Sequence, residues 1–109
     1  MIKLDELCAM LDGLGIPWTN EGYTDEDRPE PPYISLEADL GGTSYADNVA
    51  WASWMNYEIL LYTTHRSYEI ESKIASALDA AGCAFSETVT HVDGEHLVEA
   101  SFYVSVQEE

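Results

Sequence analysis

The Asp93-Gly94 pair, set between the alternating runs AFSETVTHV and EHLVEASFYVSV, constrains this chain more than any other feature. Asp-Gly accepts the left-handed backbone of a two-residue hairpin turn, so the pair predicts two adjacent antiparallel strands at the end of the chain. Along the second strand His96, Val98, Ala100, Phe102, Val104 and Val106 share one face, opposite Glu95, Leu97, Glu99, Ser101 and Tyr103. Such alternation means one buried face and one polar face. With the turn placed at Asp93 and Gly94, His91 is expected to lie across from His96.

A second strand pair is expected earlier. From Pro32 the pattern has period two, with Tyr33, Ser35 and Glu37 on one side and Ile34, Leu36 and Ala38 on the other. Gly41, Gly42 and the polar run through Asn48 are expected to interrupt it, before WASWMNYEILLYTT gives a long central strand from about Ala50 to Thr63. Its aromatic and β-branched content suits a strand buried on both faces.

Two helices frame these strands. Leu4, Leu7, Cys8, Leu11 and Leu14 form one stripe and predict a helix over 2–14, with Asp5 and Glu6 in the first turn and Gly13, Gly15 and Pro17 ending it. Ile16 to Thr19 is a short strand at best. Ser67 is placed to cap a second helix, with Glu69 and Glu71 in its first turn, the stripe Ile70, Ile74, Ala77, Leu78 and Ala81, and Gly82 as its stop. The order αββαββ predicts a single α+β domain over residues 1–109: a mainly antiparallel sheet of four to five strands with both helices on one face.

Residues 20–32, NEGYTDEDRPEPP, combine acids and three prolines with almost nothing to bury. They read as an exposed, flexible acidic arm carrying Asp25, Glu26 and Asp27. The arm belongs to a wider imbalance, with 4 Lys plus Arg against 21 Asp plus Glu and a net charge of −17. The resulting field repels phosphate polyanions and anionic lipid, which excludes nucleic-acid binding through a basic face. No apolar stretch approaches the roughly 20 residues that span a bilayer. The opening MIKLDELCAM lacks the basic region of a secretion signal, so the expected compartment is the cytoplasm with both thiols reduced.

Motifs for catalysis are missing. Cys8 lies on a helical stripe and Cys83 just after the second helix, so both read as small buried hydrophobes. No nucleophile elbow, phosphate loop or C-x-x-C occurs. His65, His91 and His96 lack metal-ligand spacing, and Asp25, Glu26 and Asp27 lack the spaced oxygens and turn Gly of a calcium loop. No catalytic residue, metal or cofactor is expected. A small metal hydrolase would need a third ligand that the sequence does not offer.

The pieces PPYISL, YADNVAW, YEILLYTTHRSYEIESKIASALDAAG and the hairpin ending FYVSV, which run from Pro32 to Val106, together resemble the tail-terminator and head-to-tail completion proteins of long-tailed phages and prophages. The features that match are Pro32 with Tyr33, then Ala46, Asp47 and Asn48, then Glu58 with Tyr62 and Thr63, then Glu69 and Glu71, and finally Asp93 with Gly94. The resemblance implies a non-enzymatic virion assembly subunit at the head-tail junction, assembled in the host cytoplasm. It implies self-association into a hexameric ring that caps the tail tube protein and offers a docking face to the head connector or head-completion protein. DNA would pass through such a ring without being bound. Asp47 and Asn48 are then interface residues or simply a turn, and Trp51 and Trp54 are interface or core.

The charge fits a ring independently, since six copies carry about −100 and a negative lumen prevents passing DNA from sticking. The competing class is an acidic DNA mimic or inhibitor that occupies a basic site on a host or phage protein. A mimic should carry its acids on one continuous face, whereas here they are spread through loop, strands and helices.

Overall fold

A computed structural model describes residues 2–20, 22–24, 26–46, 49–92 and 97–107, with backbone alone for 39–46, 49–55 and 107. Chain order is β1 (Ile2–Lys3), α1 (Leu4–Gly13), β2 (Trp18–Asn20), β3 (Tyr33–Ala46), β4 (Val49–Thr63), α2 (Tyr68–Ala80), β5 (Phe85–Val92) and β6 (Leu97–Gln107). The six strands form one mixed sheet in the order β1-β6-β4-β3-β2, with β5 also paired to β6. The β3–β4, β4–β6 and β5–β6 ladders are antiparallel, and β1–β6 and β2–β3 are parallel. The protein is therefore a single α+β domain with two helices.

The core lies on one face of the sheet. Ile34 and Leu36 of β3 oppose Leu61 and Ile59 of β4, which in turn oppose Ala100 and Phe102 of β6. Leu7 and Leu11 of α1 and Ile74 and Leu78 of α2 are fully buried in the same cluster. Near its end β4 is apolar on both faces because both are covered there, Ile59 and Leu61 in the core and Leu60 on the other side all being buried. Ser67 caps α2 as expected, its hydroxyl accepting from the Ile70 N–H at 3.3 Å. Gly82, at φ +73°, adopts the left-handed turn after the helix, where any side chain would be strained.

Several expectations are corrected. Among the described residues the strands number six, not four or five, because β1 and β2 each add a short parallel pairing. Ile2 and Lys3 are strand rather than the start of α1, and Ile2 is buried beside Val106, its strand partner. The Gly41-Gly42 pair does not break β3. The ladder passes from Asp39 opposite Asn56 to Gly42 opposite Trp54, so one extra residue is absorbed as a bulge.

The β5–β6 register also differs from the one predicted. His91 lies opposite Val98, not His96, and Val92 opposite Leu97, while residues 93–96 lie outside the described residues. Alternation cannot distinguish the two registers, because a shift of two residues keeps every side chain on its face. The observed one sets Phe85 opposite Val104 and brings its ring within 5.9 Å of Phe102.

Candidate functional site: a carboxylate and hydroxyl face

The sheet face turned away from the helices is built from three rows that cross β3, β4 and β6. Tyr33, Tyr62 and Glu99 form one row, Ser35, Leu60 and Ser101 the next, and Glu37, Glu58 and Tyr103 the third. Period-two alternation puts them opposite the core residues between them in sequence. Thr90, Thr88 and Ser86 of β5 extend the same rows. Not one of these positions is basic.

Hydroxyls donate to the carboxylates of these rows. The Ser35 hydroxyl donates to Glu37 Oε2 at 3.1 Å, and the Ser101 hydroxyl to Glu99 Oε1 at 3.4 Å. Tyr62 donates to Glu99, and its phenol is pushed well above the usual range by burial, by that hydrogen bond and by the charges of Glu99 and Glu37. Tyr103 is raised chiefly by the charge of Glu58, to which it also hydrogen-bonds. The phenols are thereby held protonated as donors to carboxylates. Glu37 and Glu58 lie directly opposite each other, a like-charge arrangement that costs stability in an isolated ladder.

One end of this face is covered by the loop that follows β2. Arg28 N–H and Asp27 N–H both donate to the Thr24 carbonyl, at 2.9 and 3.1 Å, which makes a turn. The Tyr23 ring packs edge-on against Tyr33 at 5.7 Å, and Tyr33 stacks on Tyr62 at 5.1 Å. A cleft of about 230 Å³ remains between loop and sheet, with Tyr23 and Arg28 on one side and Ser35, Glu37 and Tyr62 on the other. Residues 20–32 were expected as an exposed arm, and no sequence pattern points to this tyrosine stack, which joins Tyr23 to residues of β3 and β4.

A separate ionic cluster ties α2 to β5. Arg66 holds Glu71 with both guanidinium branches, Nε to Oε2 at 3.2 Å and the second nitrogen to Oε1 at 3.3 Å, and lies 4.5 Å from the centre of the Tyr68 ring. Glu71 is buried, and its carboxylate shares a hydrogen bond with Glu87. Sequence reasoning gave Glu71 only a place near the helix dipole. Arg66 lies only five residues away, but no local pattern could have found Glu87, which arrives from another element.

The residues singled out from sequence fall as follows. Asp25, Asp47 and Asn48 lie outside the described residues. Glu26 and Asp27 are exposed on the loop turn. Trp51 and Trp54 lie in β4, Trp54 opposite Gly42 and Trp51 as the extra residue of a bulge between the Ser44–Ala52 and Tyr45–Ala50 pairs. Burial raises both thiols, Cys8 with help from Asp12 and Asp5, which keeps them as weakly reactive thiols. Among the described residues no group of three or more His, Cys, Asp and Glu converges as a metal site. No protein-family model and no curated protein matches this chain.

Proposed function

We propose that the chain is a structural subunit of the tail-terminator type, which closes as a ring on a phage tail tube and presents a docking face to the head connector.

 The reading covers a ring of six copies, the tail tube protein and the connector or head-completion protein as partners, and a place at the head-tail junction of a virion. In it the antiparallel unit β3-β4-β6-β5 is the working sheet, and β1 and β2 are short additions to its edges.

The observation that carries this reading is the carboxylate and hydroxyl face. Glu37, Glu58 and Glu99 accept hydrogen bonds from serine and tyrosine donors, and the rows themselves hold no Lys or Arg, the Arg28 side of the cleft coming from the loop. Such a face suits the wall of a passage for DNA, because its carboxylate rows repel phosphate. Other acids are distributed over α1, α2, β5 and the loop, which speaks against a phosphate mimic with one acidic side.

Native mass spectrometry combined with electron microscopy of the purified protein tests the proposal. Closed rings at high concentration or in moderate salt are the expected outcome. A stable one-to-one complex with a basic protein, and no ring under any condition, would overturn it in favour of the inhibitor reading.

A further inference from the structure

The β3–β4 ladder runs on past the rest of the sheet. Gly42 to Ala46 pair with Trp54 to Val49, whereas β6 joins β4 only from Trp54 onward and β2 meets β3 only at Ile34 to Leu36. Among the described residues no other strand pairs with Gly42–Ala46 or with Val49–Ser53. The result is a two-stranded ribbon with an open edge on each side. Ribbons of this kind are marginal in water by themselves, and open edges are templates for a further strand.

Natural edges are commonly guarded by Lys, Pro or inward-pointing charge. This ribbon has none of the chain's Lys or Pro, and between Asp39 and Glu58 it holds a single acid, Asp47. We propose that the ribbon is the self-association element of the chain, its open edge completed by a strand of a second copy; this deepens the ring reading and rests on it.

Charge selects that occupant. Two copies at −17 repel each other wherever their acids meet, so they can approach closely only through a segment that is nearly free of charge. A basic partner would be drawn instead to the loop that follows β2, the helices and the outer sheet face, where acids lie. The two edges are also unlike, one belonging to β3 and the other to β4. Pairing the β3 edge of one copy with the β4 edge of the next is a heterologous contact, the kind that repeats around an axis and makes a ring when the rotation between copies closes. Main-chain hydrogen bonds would supply the affinity, as in other cases of strand addition.

Hydrogen exchange of the full chain, compared between its monomeric and assembled forms, tests the contact. Amides in 42–46 and 49–53 should exchange about tenfold more slowly, or slower still, once rings form. Ala52→Glu should keep the fold and raise the concentration needed for assembly by about tenfold or more. Rings whose ribbon amides stay as fast as in the monomer would overturn the strand-addition contact while leaving the ring intact, and so would a folded Ala52→Glu variant that assembles like the parent. Should that variant fail to fold, exchange in the parent protein decides. A chain that forms no ring at any concentration or salt removes the ring reading and this contact together.

Discussion

At the scale of single residues, the shortage of bases decides how carboxylates are held. Lys and Arg together number four in the chain; Glu71, which is buried, is held by both branches of Arg66, while Glu37 and Glu99 on the outer face accept from serine hydroxyls. Glu87 shows the consequence. Burial pushes its carboxyl up, as do its hydrogen bond to Glu71 and the charge of Glu71, while Arg66 pulls the other way. A carboxyl raised in the fold binds its proton more tightly folded than unfolded. Its contribution is complete below the unfolded value, about 4.3, and is lost as pH rises through the higher folded value. Glu87→Gln should therefore match the parent protein in acid and melt at a higher temperature than the parent near neutrality. Melting curves of the two proteins that stay parallel across that range would contradict the shared proton. None of this was legible in sequence, since Arg66, Glu71 and Glu87 meet only when α2 lies on β5.

Elements were legible where their signals are local. Ser67 and Gly82 bracket α2 because a cap and a left-handed stop act within one turn, and the alternation of β6 gives its buried face directly. The parallel pairings of Ile2–Lys3 and Trp18–Asn20 were missed or half seen, since two or three residues carry no period and owe their conformation to the strand beside them. The acidic loop was misjudged in part because Tyr23 finds its ring partner, Tyr33, only in the folded sheet. These differences set the expected costs of substitution. Phe102, fully buried where both helices meet the sheet, should lose roughly 3–5 kcal/mol as Phe102→Ala. Charge reversal at Glu26 or Asp27, exposed on the loop turn, should stay within about 0.5 kcal/mol. Denaturant titration ranks the three, and a loop reversal as costly as the core truncation would contradict the packing described.

For the whole molecule, the net charge of −17 is the governing quantity. Screening falls within about 10 Å at 0.1 M salt, so moderate salt should relieve the repulsion among acids and raise the melting temperature. A melting temperature indifferent to salt would mean that the acids are too far apart to matter. The same repulsion should keep isolated copies separate until a tube end or high concentration brings them together. A growing tube end is an open heterologous interface that keeps adding subunits until a ring with a non-propagating outer face closes it.

Tail length in cells that lack the gene for this chain is the most direct measure of that claim. Electron microscopy of their lysates should show filled heads beside overlong or unjoined tails, with lysis itself unaffected. Tails of normal length, joined to heads, would contradict the account.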